Sequence, residues 1–344
     1  MQNELMQPGP LLDAQGKLAQ IGWSRKPLLD CNLEKASFYK IRPLQRLRIK
    51  RWDYYALFTP NRFFSATIAD LGYTGNIFVY TLDFATGELH EEGLVLPLGK
   101  GIHLERNPES GEASFTNKKV SLHFQAQADE RRIKVSWDGF HHGRGIQADI
   151  TLYTLPRHES VNIVIPIGAK RFYDNTKINC MPARGFIQYG EVREELRMDT
   201  CVGSLDWGRG VWEYHSYWNW ASASGFLSDG QTLGLNLGRG FGDLSKATEN
   251  AVILNGRVHK LGSVSFDYSP ADYMKPWCFK DNEDRLDLTF TPFKDRVART
   301  NLGIIFSEVH QMFGRYNGRV ILDDGNPLEI RDLIGFAEEH HARW

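Results

Sequence analysis

Residues 204–220, Ser-Leu-Asp-Trp-Gly-Arg-Gly-Val-Trp-Glu-Tyr-His-Ser-Tyr-Trp-Asn-Trp, gather the side chains best suited to chemistry in this chain. Four of the nine tryptophans fall between Trp207 and Trp220, beside Asp206, Arg209, Glu213, His215 and Tyr217. A carboxyl walled by aromatic rings is desolvated, and desolvation raises its pKa toward the range in which it can deliver a proton near neutrality. Asp206 and Arg209 are expected on a glycine-flanked loop, residues 203–210, where a carboxylate can approach a ligand. If residues 212–220 form a strand, its period of two puts Trp212, Tyr214, Trp218 and Trp220 on one face and Glu213, His215, Tyr217 and Asn219 on the other. In one reading the aromatic face packs the core of a half-buried strand and the polar face is solvated. In the other the strand lines a mainly apolar cavity with a few placed polar groups, the usual make-up of a small-molecule site. The catalytic expectation is then Asp206, Glu213, His215 and Tyr217. The ligand-binding expectation is Trp207, Arg209, Trp212, Tyr214, Trp218, Asn219, Trp220 and Glu249.

Other signatures point away from cofactor and metal chemistry. The run Gly238-Arg-Gly-Phe-Gly242 is followed within fifteen residues by a hairpin signal, whereas a dinucleotide site needs a full helix and a parallel strand after its glycines. GxxxxGK[ST], GxSxG and HExxH do not occur. Cys31, Cys180, Cys201 and Cys278 are widely spaced without a CxxC pair, so they read as reduced, buried thiols rather than zinc ligands. The pairs His141-His142 and His340-His341 read as surface residues, since neighbours on a strand face opposite sides. Glu308, His310, Glu338 and Glu339 likewise read as surface or structural. No metal and no cofactor are expected.

The elements that must position these residues read as all-β. Residues 1–45 carry scattered prolines and charges without a sustained period and form an extended N-terminal segment. From Arg51 onward, short β-branched and aromatic runs alternate with turn residues, the pattern of antiparallel sandwiches or barrels. Asn255-Gly256 is a strong hairpin signal, and Asp138-Gly139 a further turn. Short helices are expected only at 191–198 and 243–250. This divides the chain into a first β-domain, 46–175, and a second, 176–344.

With 344 residues, 42 % of them hydrophobic, the chain can bury a large core, and its net charge of −1 argues against nucleic acid as a partner. No apolar run is long enough for a membrane-spanning helix; peripheral membrane contact stays open. The N-terminus lacks the basic start and apolar run of a secretory signal, so a cytoplasmic location is expected. Oligomeric state is not legible.

The motifs Leu11-Leu-Asp-Ala-Gln-Gly, Lys50-Arg-Trp-Asp-Tyr-Tyr55, Leu205-Asp-Trp-Gly-Arg-Gly210, Trp218-Asn-Trp220 and Gly335-Phe-Ala-Glu338 through Arg343-Trp344 resemble the bacterial DUF2804 family over nearly the whole chain. More distantly, the chain resembles the two-domain lipocalin-like group of carotenoid 1,2-hydratases, AttH-type proteins, tocopherol cyclases and calycin-type fungal Diels–Alderases. That resemblance implies two lipocalin-like domains and an apolar, unsaturated or terpenoid or lipid-like substrate transformed without a redox cofactor. Their mid-chain acidic–aromatic–glycine feature is matched by Asp206-Trp207-Gly208. Leu205 stands where a histidine would precede the aspartate, so Asp206 alone carries over, as general acid. The leading expectation is acid-initiated hydration, cyclisation or isomerisation. The alternatives are a non-catalytic carrier or sensor for a hydrophobic ligand, and a carbohydrate-active protein using Asp206 and Glu213 as paired carboxylates.

Overall fold

Turn chemistry and strand period together set the architecture. At Asn255-Gly256 both residues take positive φ, 51° and 76°, and join the strands Ala251–Leu254 and Arg257–Lys260 into the expected hairpin. The computed structural model describes residues 2–127, 129–301 and 303–344. It is nearly all-β, with two curled half-barrel sheets in two domains and few short helices. Among the described residues no helix is long and apolar enough to cross a membrane.

The first sheet runs, in spatial order, Leu89–Pro97, Thr74–Asp83, Arg62–Asp70, Lys50–Phe58, Val202–Val211, Arg171–Tyr189, Ile146–Tyr153, Glu130–Trp137, Val120–Gln127, Gly111–Thr116 and His103–Leu104. Along the second lie Arg257–Lys260, Ala251–Leu254, Thr232–Arg239, His215–Phe226, Pro327–Arg343, Phe306–Ile321, Leu286–Asn301, Trp277–Asp281 and Val264–Asp267. The chain passes between sheets from Val211 to His215. A division at 175–176 therefore falls inside Arg171–Tyr189, because Val202–Val211 returns to pair with both Lys50–Phe58 and Arg171–Tyr189. Within residues 1–45, Gly22–Ser24 pairs with Val161–Ile167.

Three local expectations are corrected. Residues 203–210 are no loop: they belong to Val202–Val211, every residue of which is buried. The glycines serve close packing, since a Cβ on Gly208 would lie 2.1 Å from the Trp52 ring. Residues 191–198 contain the strand Val192–Leu196, paired to the end of Arg171–Tyr189, and 243–250 is irregular; neither is helical.

Each sheet encloses its own core. Leu205, Trp207 and Val211 join Phe64, Phe124 and Ile150 inside the first, and Ala221, Ala223, Trp277 and Phe279 pack inside the second. A further cluster lies between the sheets: Ala56, Phe58, Phe63 and Tyr80 meet Trp220, Phe313 and Phe336. Burying so many large rings supplies the apolar area that holds the two sheets face to face.

Candidate active site

Strand period selects the residues of the inter-sheet face. On Val202–Val211 the odd positions Leu205 and Trp207 turn into the first core, so Asp206 turns toward the second sheet. On His215–Phe226, Ala221 and Ala223 turn inward, so Trp218 and Trp220 face the first sheet. The same alternation on Pro327–Arg343 sends Glu338 and His340 to this face and Glu339 to the other. Between the sheets these residues enclose a cavity of about 260 Å³, near the lower end of small-molecule pockets.

The cavity has a floor and a mouth. Successive inward positions run from Phe336 through Glu338 and His340 to Trp344, from Phe313 through Gln311 and Val309 to Ser307, and from Arg296 through Ala298 to the exposed Thr300. The floor is therefore the inter-sheet aromatic cluster, and the mouth lies toward the partly exposed lining residues Leu71, Ser307 and Trp344 and the exposed Thr300. Trp52, Tyr173, Trp212, Trp218, Trp220, Phe241 and Trp344 supply aromatic wall.

Charged groups cluster toward the floor. The Lys177 ammonium lies 2.9 Å from Asp206 Oδ2, 3.4 Å from Glu249 Oε2 and 3.8 Å from the centre of the Trp220 ring. Burial works to lower the pKa of this amine, but the two carboxylates outweigh it and hold it above its usual value. Asn175 Nδ2 donates to Asp206 Oδ1 at 2.7 Å and to the Trp207 carbonyl at 2.8 Å. Every polar partner of Asp206 is a donor, which suits an acceptor-only carboxylate. Asp206 lines the cavity, where it is engaged as the ion-pair partner of Lys177.

Glu338 is the contrasting group. Its carboxyl accepts from Trp218 Nε1 and Gln311 Nε2, each at 3.1 Å. Burial pushes its pKa up to about 7; the Trp218 bond and the Arg296 and Lys177 cations act the other way, and the Asp206 charge adds to the rise. Near neutrality a substantial fraction therefore carries a proton, beside an apolar cavity. Its supports are themselves fixed. Gln311 Oε1 accepts from Tyr80 OH at 2.9 Å, so the amide presents Nε2 to Glu338. Arg296 is locked to both carboxylate oxygens of Glu91 at 2.8 and 2.7 Å and sits 4.1 Å over the Tyr80 ring. His340, expected at the surface, lines the cavity over Trp218 with ring centroids 4.0 Å apart, and Ser307 Oγ lies 2.9 Å from its Nε2. Burial drives its pKa down to about 3, so it is a neutral imidazole.

Of the residues expected in the sequence to be catalytic or ligand-binding, Asp206, Trp212, Trp218, Trp220 and Glu249 line the cavity. The others do not. Trp207 and Arg209 turn into the first domain, where Arg209 pairs with Asp53 at 2.8 Å and stacks on Trp207. The strand is interrupted at 212–214, which throws Glu213 out to a side-chain exposure of 58 % beside Arg171. His215 is exposed, and half-exposed Tyr214 donates to the Ile304 carbonyl. Tyr217 and Asn219 face the second domain's own side, bonded to each other at 2.7 Å and to Tyr268. Asp206 and Glu213 are thus not assembled as a carboxylate pair in the cavity. Sequence reasoning missed Lys177, Arg296, Gln311 and the importance of Glu338 and His340. The alternation Phe336, Glu338, His340, Ala342, Trp344 was the available signal for the last two.

Among the described residues, no group of three or more His, Cys, Asp or Glu is arranged to hold a metal ion. The sequence matches, over residues 2–344, the family described as a domain of unknown function, DUF2804. The chain belongs to that family. No curated protein matches it in a sequence search. Among solved structures, an AttH-type protein of Nitrosomonas europaea is 14% identical with a TM-score of 0.53, the match covering 86% of this chain and 93% of that one. CghA in complex with Sch210972 is 10% identical with a TM-score of 0.50, over 86% and 88%. A kievitone hydratase from Nectria haematococca is 11% identical with a TM-score of 0.49, over the same shares. At such identities the likeness of this DUF2804 chain to the first two is one of fold, and it agrees with the two-domain architecture that the motifs imply.

Proposed function

We propose that the protein is an enzyme acting on an apolar, unsaturated substrate of terpenoid or lipid-like character by acid-initiated hydration, cyclisation or isomerisation, with Glu338 as the proton donor. The observation that carries this reading is the buried Glu338 carboxyl, raised to about 7, on the wall of a tryptophan-lined cavity. Glu338 delivers its proton to one carbon of a double bond, leaving a carbocation on the other. The resulting carboxylate keeps its bonds from Trp218 and Gln311. In hydration, water adds to the cation and returns a proton to Glu338; in cyclisation a second double bond attacks instead, and a proton from carbon restores the acid. Lys177 with Asp206 and Glu249 sums to one negative charge beside the cavity, and together with the faces of Trp52, Trp212 and Trp218 it favours a developing cation.

Native mass spectrometry with solvent extraction identifies what the purified protein carries, and that compound is then incubated with it in deuterium oxide. The expected result is a product bearing deuterium at the protonated carbon, formed by the parent protein and not by Glu338→Gln. A bound lipid or isoprenoid recovered unchanged, with no deuterium, would replace the enzyme with a carrier.

A further inference from the structure

A strongly basic segment flanks the cavity mouth of a chain that is nearly neutral as a whole. Residues 40–51 hold Lys40, Arg42, Arg46, Arg48, Lys50 and Arg51 and no acidic residue, against a whole-chain charge of −1. Lys50 is buried and Arg51 is paired with Asp70. Lys40, Arg42, Arg46 and Arg48 have no carboxylate at ion-pair distance among the described residues. Between these charges the chain exposes apolar side chains, Ile41 at 62 %, Leu44 at 47 % and Tyr39 at 37 %.

The segment is held in place. The buried Gln45 amide accepts from the Phe38 and Tyr39 backbone N–H groups at 2.6 and 3.0 Å and donates to the Ala36 carbonyl at 2.8 Å. It is also tied to the cavity mouth. Arg48 Nη2 donates to the Trp212 carbonyl at 3.5 Å, while Lys50 Nζ donates to the Leu71 carbonyl at 3.0 Å and lies 5.2 Å from the centre of the Trp344 ring. Trp212, Leu71 and Trp344 all line the cavity.

We propose that residues 39–46 form a docking surface for an anionic lipid bilayer, which sets the cavity mouth against the membrane. Unpaired cations draw the segment to anionic headgroups, and the interleaved Ile41, Leu44 and Tyr39 enter the interfacial layer. Nucleic acid accounts for the charges but leaves those exposed apolar side chains without a role. Docking does not depend on the chemistry proposed above; only the idea that substrate enters from the bilayer rests on it.

The test is cosedimentation of the full-length protein with vesicles of phosphatidylcholine alone and of phosphatidylcholine mixed with phosphatidylglycerol. Binding is expected only to the mixed vesicles and should weaken as salt rises. The double variant R42E/R46E should lose at least about tenfold in binding with unchanged thermal unfolding, because both side chains are exposed. I41S/L44S should bind more weakly while keeping the salt dependence. Equal binding to both vesicles, binding to neither, or R42E/R46E binding like the parent overturns the proposal. So does a tight complex with heparin or RNA in the absence of vesicle binding. Deuterium incorporation by R42E/R46E into detergent-dispersed substrate reports on the active site separately.

Discussion

Glu338 and Glu339 are neighbours on one strand and meet opposite environments. Glu339 accepts from Tyr268, Tyr273 and His341, and although burial acts to raise it, those bonds hold it below the usual carboxylate range. Glu338 has two donors and full burial, and it moves up to about 7. Two carboxyls driven apart by their surroundings divide acid and base states between them, and the one that keeps its proton faces the cavity. Turnover should therefore be full below about pH 7 and fall above it, and Glu338→Gln should cost roughly 10²- to 10⁴-fold in rate below that pH and progressively less above it. Stability supplies an independent check. Between the ordinary value of 4.5 and about 7, the unfolded chain releases a proton that the folded one holds, so stability falls as pH rises through that window. Glu338→Gln removes this loss: it should melt above the parent at alkaline pH, by at most about 3 kcal/mol, and alike below the window. Asp206→Asn is informative in another way. The Asp206 charge disfavours ionisation of Glu338, so its removal should shift the midpoint of the pH–rate profile downward; a profile unchanged in position would disconnect the two residues.

At the scale of strands, alternation carried most of the information and interruptions hid the rest. The even-numbered face of 212–220 was legible, and Trp212, Trp218 and Trp220 do share the cavity. Tyr214 and the polar partners Glu213 and His215 were misplaced because the chain crosses between sheets at 212–214, a break that no glycine or proline announces. The glycines of 203–210 misled for the opposite reason. They suggested a loop, yet their bare Cα atoms let the strand Val202–Val211 approach Leu152, Trp52 and Phe172 closely. Lys177 was hidden because its carboxylate partners lie 29 and 72 positions away in sequence, one on the strand Val202–Val211 and the other in the irregular run 243–250. Gly208→Ala tests the packing reading: the added methyl must displace the Trp52 ring, which lines the cavity. A loss of about 1–3 kcal/mol in stability is expected, with weaker binding of any ligand that fills the mouth, measured by denaturant unfolding and by quenching of tryptophan fluorescence. Unchanged stability with unchanged binding would mean that Trp52 moves aside freely.

For the whole molecule, the cavity depends on both sheets, because neither encloses it alone. Its floor is a cluster in which Phe63 and Tyr80 of the first sheet meet Phe313, Phe336 and Trp220 of the second, with Phe63 lying 4.8 Å from Phe313 and 6.1 Å from Phe336 by ring centroids. Above it, the buried Arg296 of the second sheet is held by Glu91 of the first. Loss of one sheet would strip water-excluding cover from these rings and leave a buried guanidinium without its partner, a penalty of several kcal/mol. Separate unfolding of the two domains is therefore disfavoured, and calorimetry should record one transition rather than two. Phe63→Ala is the sharpest probe of that coupling. Phe63 belongs to the first sheet and is completely buried, so its truncation should cost about 3–5 kcal/mol. If the sheets fold as a unit, the single transition moves down as a whole, and signals from Trp277 in the second core shift with it. A variant whose first domain melts early while the Trp277 environment persists would show that the domains are independent, and would leave the cavity as an interface that opens and closes with ligand.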